Sequence, residues 1–418
     1  MTHGPTSEAE RPADTARPAW RDVYILGGMR GLSFAGDIMA ETAILLYLTK
    51  HGAIAYAVTA LLLAGVVPPA LLAPVTGAIA DRFDSRLLIV TVAAVQALVC
   101  AVMVLWPHPI LLIAMSVLLS AGLSFTHPVF AGLPKPMVGA ANVPRASSIS
   151  QTYAMTGMVA APAVAGVLTA SYGVRISLVI DGLSFVLVIV GGLLIRTRLH
   201  PARDAAAAGA GSTGEQQGTA PAYRIRSDRF LWSVLALAGT VIAFVSTNNV
   251  LLVFYVLRSF HATGTTFGII SSCWMVGLIA GGITVRKLSQ VRQEVVLIGT
   301  LVCLALGVLC TGLAPTVWWI APFYVLGGIG NGAMATELHV VLNLRIPDSH
   351  RGRGFAALGA VSNVAPALGY VLGATALTIM APRIGFILAG SIALAAIIVL
   401  FRNVIRPADE TATVAVTA

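Results

Sequence analysis

The side chains able to do chemistry in this sequence are the few ionisable ones inside its long apolar runs. Arg30, Asp37 and Glu41 fall in the first run, Asp181 in the sixth, and Glu337 and His339 in the tenth. In hydrocarbon each such group costs about 2.5 to 3.5 kcal/mol to insert, so it demands either a partner or a use. At 100° per residue, the seven steps from Arg30 to Asp37 leave about −20° and four more to Glu41 bring the total to about +20°. One helix would therefore carry all three on a single stripe. Carboxylates that alternate between water and a closed interior can take up and release protons, which makes Asp37 and Glu41 the first candidates for proton coupling. The structural alternative is that Arg30 and Asp37 neutralise each other and Glu41 bonds a hydroxyl of a neighbouring helix. Glu337 is a further proton-coupling candidate; His339, two residues on, lies about 200° around a helix and cannot share its face. His127 and His339 are expected near run ends without a special role. Asp181, toward the outer end of its run, is expected to cap a helix or pair with a loop.

Uncharged polar groups in the same runs are candidates for a ligand cavity: Gln151 and Tyr153 in the fifth, Asn248 and Asn249 in the seventh, Asn363 in the eleventh. Intramembrane amides also hold helices together, at about 0.6 kcal/mol each. Asn248 and Asn249 diverge by 100°, so only one of them is expected to face a given cavity. Met29, Met39, Met155, Met158, Met275 and Trp274 would suit a bulky apolar ligand, and equally well the packing between helices.

The elements that must position these residues are transmembrane helices. Hydrophobic residues make up 57% of the chain and charged ones 10%, with mean hydropathy +0.88, against roughly 25% charged residues in soluble domains. Apolar runs between polar breaks give twelve spans, near 24–48, 54–80, 87–106, 110–131, 149–170, 176–195, 230–256, 266–285, 294–314, 318–343, 355–380 and 384–403. Residues 1–22 have no apolar core of a signal peptide and read as a disordered cytoplasmic tail, as do residues 405–418. The Gly/Ala/Ser-rich stretch at 197–228 reads as a flexible cytoplasmic linker between six-helix bundles at 23–196 and 229–404. Of the 26 Lys and Arg residues, 21 fall in the tails, the linker and alternate loops on one side, four (Lys50, Arg175, Arg258, Arg383) on the other, and Arg30 within a span. That bias predicts both termini inside the cell and accounts for the net charge of +9 without a nucleic-acid partner. Cys100, Cys273, Cys303 and Cys310 all lie in apolar runs, where cysteine behaves as a small hydrophobe. Neither metal-ligand spacing nor a Gly-rich phosphate loop is present, so no cofactor is expected.

The tightest break, Gly77-Ala-Ile-Ala-Asp81-Arg82-Phe-Asp84-Ser-Arg86, sits between two charge-free runs. Gly77 admits a close helix neighbour, and Asp81, Arg82 and Arg86 lie where they can cap helix ends and pair; the segment reads as a conformational latch. An internal repeat runs at one offset: Gly77 with Arg82 matches Gly281 with Arg286, and Ala161-Pro162 matches Ala365-Pro366, both 204 residues apart. Duplicated six-span halves are a hallmark of secondary transporters. Pro162 and Pro366 interrupt the backbone bonding of spans 5 and 11 at matching places, as hinges would.

Gly77, Asp81, Arg82 and Arg86 resemble the loop signature of the major facilitator superfamily between spans 2 and 3, with Asp84 in place of a usual glycine. Gly157, Ala161, Pro162 and Gly166 are similar to its antiporter signature in span 5, with alanine for two glycines. The phrases Gly36-Asp37, Asp181-Gly-Leu-Ser-Phe and Ile346 to Arg353 resemble the branch of drug, macrolide and siderophore exporters. That branch's arginine in span 4 is missing. The resemblance implies an all-α integral membrane fold of two pseudo-symmetric six-helix bundles, with span 1 lining a central path. It also implies proton-coupled efflux of an amphipathic small molecule by a monomer in the bacterial cytoplasmic membrane, an antiporter of the multidrug-resistance kind. An uncoupled facilitator or importer on the same fold, and a non-transport sensor or scaffold, are the alternatives. No enzymatic activity is expected.

Overall fold

The computed structural model describes residues 18–80, 82–197, 229–288, 290–346 and 351–405. The linker, Asp81, most of both tails and part of the loop before span 11 lie outside them. Runs of apolar residues in lipid must satisfy every backbone group internally, and helices do so. Twelve long helices result, labelled α1 (Trp20–Lys50), α2 (Ala55–Ala80), α3 (Ser85–Leu105), α4 (Pro109–Gly132), α5 (Val143–Tyr172), α6 (Val174–Leu194), α7 (Arg229–Phe254), α8 (Gly264–Thr284), α9 (Gln293–Leu313), α10 (Ile320–Arg345), α11 (Arg351–Ile379) and α12 (Pro382–Ile405).

The stops are local chemistry. Gly173, at φ +81°, separates α5 from α6, a backbone conformation that favours glycine. Asp84 caps α3 by accepting from the backbone N–H groups of Arg86 (2.7 Å) and Leu87 (3.3 Å), as N-cap aspartates do. The residue that departs from the resembled loop signature thus has a structural duty of its own.

Two boundaries differ from the sequence reading. The tail expected through residue 22 ends sooner, because α1 starts at Trp20 and Asp22 is buried, accepting from the backbone N–H groups of Arg196 and Thr197 and from the Thr197 hydroxyl. Helix α5 starts at Val143 rather than 149; Ser148 and Thr152 satisfy their hydroxyls on their own helix, so polarity does not stop it. Among the described residues, eleven of the helices are long and apolar enough to cross a membrane. Helix α10 falls short, since its glycines, Asn331, Glu337 and His339 lower its mean hydropathy.

Helix α1 packs on α5 and α6, α2 on α4, and α3 on α4 and α6; α7 packs on α11 and α12, α8 on α10, and α9 on α10 and α12. The main contacts between these two sets are α5 with α8 and α2 with α11, partners that the 204-residue offset interchanges. The start of α1, the start of α3 and the ends of α4 and α6 share one face: Ala19 N–H donates to the Met137 carbonyl, and Arg86 donates to the Leu193 carbonyl. That basic face also carries Arg82, Lys135 and Arg145. The other face joins Tyr47 to Pro107, Arg258 to Ala53 (3.3 Å) and Arg383 to Gly312 (3.0 Å).

Candidate functional site

Helices α1 and α6 approach closely because position 36 is glycine. A Cβ there would lie 2.7 Å from the Ser184 hydroxyl and 3.2 Å from the Asp181 Cα. The absence of a side chain lets the Asp181 carboxylate lie against the α1 backbone, beside Asp37. Asp181 is fully buried and is not paired with a loop, which corrects the capping role expected for it. Its Oδ2 accepts a hydrogen bond from the Cys100 thiol at 3.4 Å, while its Oδ1 and Oδ2 of Asp37 find no partner. Asp37, Glu41 and Asp181 line one cavity of about 280 Å³, walled by Phe34, Leu61 and Met158 among others. Asp37 lies within electrostatic reach of both other carboxylates, and Glu41 within reach of Tyr370 on α11. The cavity is thus lined by residues of the first six helices.

The stripe of Arg30, Asp37 and Glu41 does not close on itself. Seven residues of helix separate Arg30 from Asp37 by about 10 Å along the axis, and no ion pair joins them. Arg30 instead reaches the Ser150 hydroxyl of α5 at 3.5 Å and the face of Phe34 at 5.7 Å, with its Nε unpartnered. Neither half of the structural alternative is realised: Arg30 does not neutralise Asp37, and Glu41 makes no hydrogen bond to a neighbouring hydroxyl.

The two asparagines of α7 separate as their 100° divergence requires. Asn248 is buried and accepts from the Tyr324 hydroxyl, a helix-to-helix tie. Asn249 lines a second cavity, of about 300 Å³, with Ser246, Asn331, His339, Ser362 and Tyr370. His339 therefore stands on a cavity wall rather than merely at a helix end. Glu337 is buried with its Oε1 unpartnered, lies within electrostatic reach of Glu294 at the start of α9 and lines neither of these two cavities. Asn363 bonds its own helix at Gly359 (2.8 Å), while Pro366, one turn on, does line the second cavity. Gln151 and Tyr153 are exposed on α5, and Tyr153 lies over Gly27 and Gly31 of α1.

Helix α5 is held on two sides. A Cβ on Gly157 would strike the Gly31 carbonyl of α1, and Ala161 and Ala165 pack beside Met39. Gly166 meets Gly264 and Gly268 of α8, and Gly268 in turn meets the Pro162 carbonyl. Pro162 upsets the local bonding ladder, and the N–H of Ala163 donates to the Ser272 hydroxyl of α8 at 3.1 Å. In the loop before α3, Arg82 is exposed, and Arg86 caps the end of α6 by donating to Leu193, within the first six helices rather than across to the last six. Gly77 is inside α2, and Asp81 lies outside the described residues.

Comparison with known proteins gives one direction. A family model described as Major Facilitator Superfamily matches residues 26–256 and 235–416. Macrolide efflux protein A of Streptococcus pyogenes is 22% identical over 401 residues, 92% of this chain and 97% of that protein. Among solved structures, the nucleoside transporter NupG superposes with a TM-score of 0.73 at 10% identity, covering 92% of this chain and 100% of that one. A POT family transporter in complex with 5-aminolevulinic acid gives 0.73 at 12% identity, with 92% and 96% covered.

Proposed function

This chain belongs to the Major Facilitator Superfamily, whose relatives and structural neighbours here are transporters rather than enzymes, and from that premise we propose that it exports an amphipathic small molecule from the cytoplasm in exchange for protons. The observation that carries this reading is the cavity shared by Asp37, Glu41 and Asp181, three acids without a cationic partner among the described residues. Unpaired intramembrane acids line ion paths more often than not. Loading and unloading of a proton there would bias two states of the molecule, as a ligand with unequal affinity for them must.

The remaining parts follow the fold. Two six-helix bundles, at 23–196 and 229–404, rock about the α5–α8 and α2–α11 contacts, with the linker at 197–228 and both termini in the cytoplasm, and the chain works as a monomer in the bacterial cytoplasmic membrane. The basic face is then the inner one, and contacts such as Thr59 to the Tyr370 carbonyl (3.0 Å) and Gly166 to Gly264 close the opposite face, as in an inward-open state. Gly77, Asp81, Arg82 and Arg86 tune the balance of states by fixing how α2, α3 and α6 meet the membrane surface. The 22% likeness to a macrolide exporter over nearly its full length supports export of a bulky, partly apolar cargo, and so an antiporter of the multidrug kind. Replacing both span 1 acids (Asp37→Asn with Glu41→Gln) should abolish uphill efflux in energised vesicles while the protein remains inserted; efflux equal to wild type would remove the assignment.

A further inference from the structure

A further cavity lies off the acid-lined path. It opens at the face opposite the basic one, has a volume of about 620 Å³, and is built from the ends of α1, α5 and α7 and the starts of α4, α6 and α8. Three of the four basic residues on that face, Lys50, Arg175 and Arg258, line it, and no acidic residue does. Lys50 and Arg175 are exposed and make no ion pair among the described residues. Arg258 sits on a π-helical turn, Tyr255–Ser259, that widens the end of α7; its guanidinium lies 4.7 Å over the Phe254 ring and donates to the Ala53 carbonyl. Basic residues are disfavoured on this side by the charge bias of the loops, so their convergence on one cavity asks for a reason. Helix α6 adds to it: its first turn, Gly173 to Arg175, lines the cavity with no side chain capping its free N–H groups, and such an end favours anions. The rest of the wall combines the polar Thr49, His51 and Thr169 with an apolar and aromatic part that includes Leu46, Tyr172 and Leu257.

We propose that this cavity binds the phosphate group of an anionic amphiphile. Lys50, Arg175 and the α6 terminus hold the phosphate from the first six helices and Arg258 from the last six, while the apolar wall takes the attached chain. Because the cations come from both sets of helices, the bound anion ties the two together at this face. A ligand that holds one arrangement more tightly than the other raises its population by that difference.

The test uses the full chain purified in neutral detergent and then placed in nanodiscs of phosphatidylcholine alone or with phosphatidylglycerol. Inorganic phosphate in detergent and phosphatidylglycerol in nanodiscs are the two probes, read by thermal stability and by retained lipid in native mass spectrometry. Stabilisation by both probes, or by phosphatidylglycerol alone, supports the site, and the comparison tells whether the headgroup suffices. The double variant Lys50→Gln with Arg175→Gln should weaken binding at least about tenfold, the loss expected from charge-assisted hydrogen bonds, while Arg383→Gln, on the same face but outside the cavity, should bind as wild type. No stabilisation by either probe, or an equal loss in Arg383→Gln, overturns the proposal. If the double variant is unstable, the charge-retaining Arg175→Lys serves instead: it should keep binding where Arg175→Gln loses it, and equal binding by the two overturns the site.

Discussion

A carboxylate in lipid is legible as an anomaly, but which neighbour it meets is not. Asp37 and Glu41 could be read from the sequence because one helix period places both on one stripe. Asp181 could not be placed: it belongs to another helix, and its position along a span says nothing of its face. Part of the signal was nonetheless present, since Gly36 beside Asp37 is a small residue through which a second helix can approach α1, whereas Gly182 beside Asp181 faces Cys100 of α3. Two predictions belong here. Asp181→Asn keeps the shape and the neighbouring Cys100 while removing the charge, and it should lower energised efflux roughly tenfold, within the 1–3 kcal/mol typical of coupling between sites; unchanged efflux would place Asp181 outside the coupling group. Gly36→Ala pushes a methyl into the Asp181 carboxyl and the Ser184 hydroxyl and should destabilise the protein by about 1–3 kcal/mol, seen as a lower midpoint of thermal unfolding in detergent. A midpoint equal to wild type would mean that α1 and α6 do not approach as described.

At the scale of elements, the helices were legible because hydropathy governs them, and their ends were less so because caps do. Residues 143–148 include Arg145, Ser147 and Ser148 yet are helical, and α10 is helical despite its polar residues; in both, side chains or neighbouring helices supply what apolar character does not. The matched prolines were legible as a pair, but their uses differ. Pro162 lies against α8, and the neighbouring Ala163 N–H passes to Ser272, whereas Pro366 faces a cavity. The sequence repeat thus preserves the residue without preserving its neighbours. Ser272→Ala should leave the Ala163 N–H unsatisfied at the seam of α5 and α8, costing about 1–3 kcal/mol in the arrangement closed at that seam. A pair of spin labels on the exposed ends of α5 and α8 should then report a larger share of long distances; a distribution identical to wild type would show that the bond does not hold the seam.

For the whole molecule, the distribution of basic residues is the property that ties sequence, geometry and direction of transport together. The loops that hydrogen bonds gather on one face of the first six helices carry Arg82, Arg86, Lys135 and Arg145, and three of the four basic residues on the other face converge on a single cavity. The two patterns arise from different physics. The first reflects insertion, which keeps cations on the side of synthesis, and so it could be counted from the sequence; the second depends on which helix ends meet in space, and could not. Direction follows only if the first pattern also sets the membrane orientation. Single cysteines at Lys135→Cys on the basic face and Arg175→Cys on the other, in a chain whose four native cysteines are replaced, should answer a membrane-impermeant maleimide oppositely: position 175 labels in intact cells, position 135 only after the membrane is opened. Labelling in the reverse order would turn the molecule over, make the acid-lined cavity face outward in this arrangement, and replace export by uptake as the reading the same geometry supports.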